Sequence, residues 1–283
     1  MSQRRLYVTD LDGTLLGADS KVSATSAKII SELSRCGALI TVATARTPAT
    51  VEPLLASTLT TPPAVVITGA GLWDRAMQTY SKLNLLTPTD ARRVTETALR
   101  FGLHPLVYRR AGDNRHLEFF NERGMLTPGE MKFVTDRDSL ELKRALSTSD
   151  IVAEAESSDT ILILAMGSRE NVLRAVAALR DDPRLSVSYY SDPNYPDAEF
   201  LEVFGAGVSK AEGIRALREL TGADHVTVFG DNYNDLSMMA VADRAVAVDN
   251  AVDDVKATVD EVIGPNTSDS VARFIAADMG VRI

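Results

Sequence analysis

The sequence predicts an α/β protein in which a parallel-sheet core is interrupted by an inserted α+β domain. Apolar segments of strand length alternate with helical patterns at both ends of the chain, and helices between buried strands are typical of parallel sheets. In the middle of the chain, strand candidates also follow one another directly, which is typical of a separate α+β domain.

The first part of the chain, residues 1–83, alternates strands and helices. Short apolar runs indicate buried strands, and apolar residues at helical spacing indicate amphipathic helices. The predicted elements are, in order, a strand at Leu6–Thr9, a helix at Ser23–Cys36, a strand at Ala38–Ala43, a helix at Pro48–Leu55 and a strand at Ala64–Thr68.

The middle of the chain, residues 84–191, is predicted to be the inserted domain. Its elements are a helix at Thr89–Phe101, strands at Pro105–Tyr108 and Leu117–Phe120, a helix at Ser139–Leu146, a strand at Thr160–Met166, a helix at Arg169–Leu179 and a strand at Leu185–Tyr190. The Pro-containing stretches Leu86–Pro88 and Asp192–Pro196 are its expected hinges. Inserted domains of this kind often act as lids.

The last part, residues 192–283, is predicted to complete the core. Its elements are a helix at Lys210–Thr221, a strand at Val226–Phe229, a helix at Leu236–Ala242, a strand at Ala245–Val248 and a closing helix at Ser270–Ala277.

Composition excludes several classes of protein. The 283 residues are 45% hydrophobic and 24% charged, as in ordinary globular proteins. A net charge of −9 argues against nucleic acid or an anionic membrane as a partner. Cys36 is the single cysteine, so no intrachain disulfide can form. No signal peptide or membrane span is recognisable, and we expect a cytoplasmic protein.

The segment Asp10–Thr14 is the strongest indication of chemistry. It follows the apolar run Leu6–Val8, and Gly13 allows a sharp turn after it. Two acids, Asp10 and Asp12, therefore stand at the carboxyl end of a predicted strand, where open α/β sheets bind ligands. One acid could attack a substrate while the other handles a proton. Taken alone, the segment could equally be a capped turn.

Three further segments stand at predicted strand ends or helix starts. Gly230–Asp235 combines acids and amides, whose oxygens Mg²⁺ prefers, although acids also favour helix N-termini. Thr44 could bind phosphate or cap a helix. Lys210 could neutralise phosphate, although a lone lysine is usually at the surface.

Taken together, the four segments resemble the motifs of the haloacid dehalogenase (HAD) superfamily, and in particular its Cof-like phosphatases. Asp10–Thr14, Thr44, Lys210 and Gly230–Asp235 are similar to motifs one to four, in order along the chain. The resemblance implies a Rossmann-like, HAD-like core with an α/β cap inserted between the second and third motifs.

The resemblance also implies a mechanism. Asp10 would attack phosphorus to form an aspartyl-phosphate, and Asp12 would act as acid and then as base. This requires Asp12 to carry a proton at neutral pH, which closeness to Asp10 and exclusion of water would favour. The implied Mg²⁺ ligands are Asp10, Asp12 through its carbonyl, and Asp231, and Asp235 belongs to the same metal site by orienting the water shell of the ion. The implied phosphate-binding groups are the Leu11 backbone N–H, Thr44, Lys210 and Asn234.

The chain departs from the family pattern twice. Ala45 replaces the glycine of Thr-Gly-Arg, and Gly69-Ala70-Gly71 stands where Asn-Gly-Ala is usual. Neither change affects the implied nucleophile or metal ligands.

The nearest rival function is a phosphomutase, which would return the phosphoryl group to a sugar. A receiver-type domain would keep the phosphoryl group, but the second acid, Asp12, argues against it. The intact Asp10, Asp12, Lys210 and Asp231 argue against a silent binding protein. The implied substrate is a small phosphate ester, by family frequency a sugar phosphate, with a sugar-phosphoglycerate or a phosphorylated cofactor as alternatives. The sequence does not indicate an oligomeric state.

Overall fold

A computed structural model describes residues 3–138, 140–192 and 194–281 of the chain. The chain forms two compact units, a core unit (Met1–Lys82 and Ser209–Ile283) and an inserted unit (Leu83–Val208). Among the described residues, no helix has the length and apolar character needed to cross a membrane.

Strands and helices are numbered in chain order. The strands are β1 (Arg5–Thr9), β2 (Leu39–Val42), β3 (Ala64–Val66), β4 (Gly71–Asp74), β5 (Thr79–Leu83), β6 (His104–Arg110), β7 (Leu117–Glu122), β8 (Lys143–Thr148), β9 (Thr160–Gly167), β10 (Leu185–Ser191), β11 (Glu199–Gly205), β12 (His225–Gly230), β13 (Arg244–Val248) and β14 (Glu261–Ile263). The helices are α1 (Ala24–Arg35), α2 (Pro48–Leu54), α3 (Pro88–Arg100), α4 (Pro128–Asp138), α5 (Ile151–Ala155), α6 (Arg169–Leu179), α7 (Lys210–Thr221), α8 (Leu236–Met239), α9 (Asp253–Lys256) and α10 (Ser270–Asp278).

The core unit is built on a five-stranded parallel sheet of order β14-β13-β12-β1-β2. Its central strands are buried apolar runs, because helices cover both faces of such a sheet. β3 continues from this sheet through a parallel bridge between Ala43 and Val65, and also begins a small β3-β4-β5 sheet. The predicted parallel α/β core is confirmed.

The inserted unit is built on a six-stranded mixed sheet of order β10-β11-β9-β6-β7-β8. One face packs against α3, α5 and α6 around a cluster of buried aliphatic residues such as Val94, Ile163 and Leu201. The opposite face carries α4, whose Phe133 ring lies 5.2 Å from that of Phe200. The unit therefore has a hydrophobic core of its own.

Two expectations for the inserted unit are wrong. The predicted helix at Ser139–Leu146 overlaps β8, and the helix of this region is α4, which precedes it; Ser139 itself lies outside the described residues. The apolar spacing of this segment suited a helix, but parallel pairing with β7 decides its conformation. This is a case of tertiary structure overriding a local pattern.

The second boundary of the inserted unit also differs from the expected position near residue 191. The unit continues to Val208, because β11 pairs with both β9 and β10 and so belongs to the same sheet. The expected hinge at Asp192–Pro196 is the connection between β10 and β11; its Pro193 lies outside the described residues.

Candidate active site

The site is formed where β1 and β12 end side by side. These strands are parallel neighbours, with Thr9 paired to Phe229, and the Asp10 N–H donates to the Phe229 carbonyl at 2.9 Å. Asp10 and Asp231 follow the two strands directly, so parallel pairing places both acids at the same edge of the sheet.

Asp10 and Lys210 form a buried ion pair. Asp10 is 4% exposed and Lys210 1%, and Lys210 Nζ lies 2.5 Å from Asp10 Oδ1. Lys210 is the first residue of α7, whose N-terminus is capped by the Ser209 hydroxyl. The N-terminus of α7 therefore places a buried cation at the end of β1. Lys210 does not lie at the surface, as a lone lysine usually does.

Asp235 holds this arrangement together. It is fully buried, and its Oδ1 accepts a hydrogen bond from Lys210 Nζ at 2.7 Å. Its Oδ2 accepts from the backbone N–H groups of Asp231 and Asn232, at 2.9 and 3.2 Å. Because both oxygens are engaged, Asp235 fixes the turn after β12 as well as the position of Lys210.

Asp231 is fitted against the turn that follows Asp10. Its Oδ1 accepts a hydrogen bond from the Thr14 hydroxyl at 2.9 Å. Gly13 has φ +78°, and a Cβ at this position would lie 2.4 Å from Asp231 Oδ2. Position 13 therefore requires glycine both for its backbone conformation and for the space that Asp231 occupies.

The acids suit a hard divalent cation. Asp10, Asp231 and Asp235 offer carboxylate oxygens that lie within 4.8 Å of one another. Three carboxylates beside one ammonium leave an excess of negative charge, and carboxylate oxygens are preferred ligands of Mg²⁺. The donor set therefore fits such an ion.

Burial and mutual repulsion shift the protonation of these groups. Burial raises the pKa of Asp10 against the opposing effect of Lys210, and the charges of Asp235 and Asp231 raise it further. Burial also raises the pKa of Asp231 to about 6. Burial alone would lower the pKa of Lys210, but Asp10 and Asp235 outweigh it and raise that pKa. Protons therefore compete with a cation for this site.

Asp12 is placed differently from the expectation. Its side chain is 52% exposed and is bound through both oxygens by Arg46, with Nε–Oδ2 2.7 Å and Nη2–Oδ1 2.6 Å. It is thus neither buried nor part of the carboxylate cluster around Asp231. A role as proton donor requires Arg46 to release it.

The expected phosphate-binding residues are placed unevenly. Thr44 is 1% exposed, and its hydroxyl oxygen accepts a hydrogen bond from the backbone N–H of Arg46 at 3.1 Å. The hydroxyl can therefore still donate its proton to a ligand. Thr44 does not cap α2, because the N-cap residue is Thr47. The Leu11 side chain is buried, so only its backbone could serve a ligand. Asn234 is exposed on the turn after β12.

The unusual segment after β3 supports the start of α7. Gly69 has φ +101°, and a Cβ there would lie 2.0 Å from the Ser209 carbonyl oxygen. The preceding residue, Thr68, has φ +58°, a conformation that asparagine tolerates better than a β-branched residue. Position 69 therefore requires glycine, which lets this segment approach the start of α7 closely.

Three residues of the site had no role assigned from sequence. Arg46 binds Asp12, Thr14 binds Asp231, and the Asn250 side-chain amide donates to the Gly13 carbonyl at 2.7 Å. Arg46 lies two residues after Thr44, Thr14 closes the first motif and Asn250 stands in Asp249-Asn250-Ala251. Each of the three makes its contact with a segment that is distant in the sequence.

Comparison with known proteins gives matches over most of the chain. The sequence profile of the haloacid dehalogenase-like hydrolases matches residues 7–275. The pyridoxal phosphate phosphatase YbhA of Escherichia coli is 25% identical over 96% of this chain and 97% of its own.

Solved structures show the same fold. A haloacid dehalogenase-like hydrolase from Bacteroides thetaiotaomicron has a TM-score of 0.77 at 23% identity, over 98% of this chain and 100% of its own. The subclass IIB sugar phosphatase BT4131 has a TM-score of 0.70 at 18% identity, over 98% of this chain and 100% of its own. With its carboxylate and lysine site at the end of β1, the chain belongs to the haloacid dehalogenase-like hydrolases, in the Cof-like group, and is a phosphoric monoester hydrolase.

Proposed function

We propose that this protein is a Mg²⁺-dependent phosphatase that hydrolyses a sugar phosphate through an aspartyl-phosphate on Asp10. The observation that carries the proposal is the buried Asp10–Lys210 pair with Asp231 and Asp235 beside it. A buried carboxylate held by a fixed cation at the end of a parallel strand is suited to nucleophilic attack.

In the first step, an Asp10 carboxylate oxygen attacks phosphorus and the bond from phosphorus to the ester oxygen breaks. Asp12 gives its proton to that departing oxygen, so the organic product leaves as an alcohol. For this step Asp12 turns away from Arg46, which holds both of its oxygens in the structure, and takes up a proton from solvent before the ester bond breaks.

In the second step, Asp12 takes a proton from water, whose oxygen attacks the phosphorus of the aspartyl-phosphate. The acyl phosphate bond breaks, inorganic phosphate is released and Asp10 is regenerated. The second acid is the feature that favours turnover over a receiver-type domain, which would keep its phosphoryl group.

The phosphoryl oxygens would be bound by Lys210, the Thr44 hydroxyl, the Leu11 N–H and Asn234. The first two are buried, which strengthens their hydrogen bonds to a charged ligand. Asp10, Asp231 and the Asp12 carbonyl would hold Mg²⁺ directly, with Asp235 behind them, since its oxygens are already engaged. The ion, when bound, offsets repulsion between the Asp10 carboxylate and the phosphate dianion.

A sugar phosphate is the first candidate substrate. The fold is shared with the sugar phosphatase BT4131. The second candidate is a phosphorylated cofactor, because YbhA, a pyridoxal phosphate phosphatase, is similar over the whole chain. A sugar-phosphoglycerate and a phosphomutase reaction are further alternatives. We place the enzyme in the cytoplasm, where a protein with the single cysteine Cys36 needs no disulfide.

The proposal is tested by phosphate release from a panel of sugar phosphates and phosphorylated cofactors, with Mg²⁺ or with a chelator. We expect Mg²⁺-dependent release that falls by more than about a thousandfold in Asp10→Asn, because the variant keeps the shape but loses the nucleophile. The exposed Asp181→Asn is the matched control and should behave as the native protein.

Two outcomes would contradict the proposal. Substantial activity in a folded Asp10→Asn protein would exclude the covalent intermediate. An isomerised sugar phosphate without released phosphate would identify a mutase instead.

A further inference from the structure

The inserted unit carries a second group of charged residues, remote in sequence from the four motifs. The group lies on the sheet face that also carries α4, and we call this face the Lys143 face. The pairing register places Lys143, Phe119, Tyr108, Glu202 and Tyr190 on this one face. The aliphatic core of the unit occupies the opposite face.

Lys143 is buried against two aromatic rings. It is 6% exposed, and its Nζ lies 4.8 Å from the Tyr108 ring centroid and 5.1 Å from that of Phe119. Those two rings are stacked on each other, with centroids 5.2 Å apart. Within the described ranges 3–138, 140–192 and 194–281, no acceptor or carboxylate bonds to this ammonium group. Contacts with rings replace only part of the hydration that a lysine loses on burial.

A second cation lies near Lys143. Arg137 of α4 donates to the Tyr195 hydroxyl at 3.0 Å and to the Phe133 carbonyl at 3.2 Å. Its positive charge acts on Lys143 and lowers the pKa of that lysine, in addition to the effect of burial. Two cations on one face create a positive potential that an anionic oxygen would relieve.

Glu202 places a carboxyl group on the same face as the two cations. It is partly buried, and its one hydrogen bond within the described part of the chain is a long one, 3.4 Å, from the Tyr190 hydroxyl. Burial raises the pKa of Glu202 to about 7. A carboxyl group in this state can either donate or accept a hydrogen bond at neutral pH.

Tyr190 provides a flat surface next to Glu202. Its ring is stacked on Phe200, with centroids 5.1 Å apart and an interplanar angle of 8°, and the residue is 38% exposed. One face of the Tyr190 ring thus packs against Phe200, while the residue remains accessible to solvent. Such a surface suits a planar ligand.

We propose that the Lys143 face is a binding site for a small planar ring that carries an anionic or strongly accepting oxygen at its edge. The oxygen accepts from Lys143, a neighbouring polar group of the ring bonds to Glu202, and the ring lies against Tyr190. The identification of this ring as the organic part of the substrate rests on the proposed function; the binding site itself does not.

The test is calorimetric titration of the full chain with pyridoxine and uracil, two rings with such an oxygen, and with D-ribose, which has no planar ring. We expect both rings to bind and ribose not to bind. Lys143→Met and Glu202→Gln should each weaken ring binding by about tenfold or more, because each removes a charge-assisted hydrogen bond. Lys28→Met, at an exposed lysine of the core unit, is the matched control and should bind the rings as the native protein does.

The proposal is overturned if neither ring binds, if ribose binds better than both rings, or if a folded Lys143→Met protein binds them unchanged. Circular dichroism of each variant checks that it is folded, and Glu202→Gln provides the second perturbation. The probes lack phosphate, so the same titration on Asp10→Asn separates this proposal from the fate of the phosphatase mechanism.

Inhibition kinetics then distinguish the two sources of such a ligand. Competition of the bound ring with the phosphate ester identifies it as the organic part of the substrate. Inhibition or activation without competition identifies a separate effector at the same face.

Discussion

Asp231 is held where its charged form is unfavourable in the absence of a cation. The residue is partly buried and lies close to Asp10 and Asp235. Burial raises its pKa to about 6, above the usual 3.8. An acid whose pKa is raised on folding contributes stability that is present below its unfolded-state pKa. That stability is lost as pH rises through the folded-state pKa, here between about pH 4 and 6.

We therefore expect Asp231→Asn to stabilise the metal-free protein at pH 8 by about 2 kcal/mol, and to have little effect near pH 4. Mg²⁺ should raise the melting temperature of the native protein at pH 8 and leave that of Asp231→Asn nearly unchanged, because the ion binds only the folded native site. Thermal melts in chelator and in Mg²⁺ at both pH values measure this. A variant less stable than the native protein in chelator at pH 8 would contradict the argument.

Lys143 shows the same conflict with opposite charge. Burial and the charge of Arg137 lower its pKa to about 7, against a smaller opposing effect of Glu202. The folded chain thus binds fewer protons than the unfolded chain between about pH 7 and 10.5, and its stability rises with pH over that range.

We expect Lys143→Met to be more stable than the native protein by about 1–4 kcal/mol at pH 6, since a buried cation is replaced by an apolar side chain of similar length. The difference should shrink towards pH 10. Urea unfolding at several pH values tests this. A destabilised variant at pH 6 would show that Lys143 is satisfied in the folded state.

Single residues of the core site were largely predictable from sequence, because each belongs to a short motif at a strand end. Asp10, Lys210 and Asp231 fall into this class. Arg46 of this site and Lys143 of the inserted unit were not, since their roles depend on contacts with residues far away in the sequence. A buried lysine looks like any surface lysine until the fold is known.

At the scale of elements, the turn after β1 is fitted to the end of β12 with little space to spare. Gly13 needs a positive φ, and its missing Cβ leaves room for Asp231. We expect Gly13→Ala to lower kcat by about a hundredfold, because even a shift of about 1 Å in the acids disrupts the reacting geometry. Phosphate release with a saturating ester measures this.

Gly17→Ala is the matched control. A Cβ at Gly17 would make only ordinary contacts, at 3.4 Å from Asp19 and 3.7 Å from the Lys21 carbonyl, and the residue is not at positive φ. Its activity should stay close to that of the native protein. Equal losses of kcat in both variants would contradict a specific need for glycine at position 13, and would show instead that the turn tolerates no substitution.

Elements of the parallel core were more predictable than those of the inserted unit. β1 and β12 are buried on both faces and appear as continuous apolar runs. β8 is an edge strand of mixed composition, and its pairing with β7 is a property of the whole sheet. β11 was missed because Pro-rich residues before it were interpreted as a return to the core.

At the scale of the whole molecule, the inserted unit begins and ends at neighbouring points. The Asn84 side-chain amide donates to the Ala206 carbonyl at 3.0 Å, and a Cβ at Gly205 would lie 2.8 Å from Asn84 Oδ1. The unit is one continuous segment with its own aliphatic core. It therefore has the properties of an independently folding domain.

We expect Leu83–Val208, expressed alone, to unfold in a single cooperative transition. Circular dichroism during urea denaturation measures this, and the Asn84→Ala variant of the same fragment should be less stable, since it loses the bond that joins its two ends. Absence of a cooperative transition would show that the inserted unit depends on the core unit for its fold.

The bond between Asn84 and Ala206 has a consequence for how such a chain can be altered. The two ends of this folded segment lie side by side, and they would still do so in a longer segment. The entropy lost on joining the segment to the core unit therefore depends little on its length. The core would accept a longer, shorter or foreign insert with equally close ends, while Asp10 and Lys210 keep their places. New substrate preferences could thus be grafted onto one unchanged reaction by exchanging a single continuous segment of the gene.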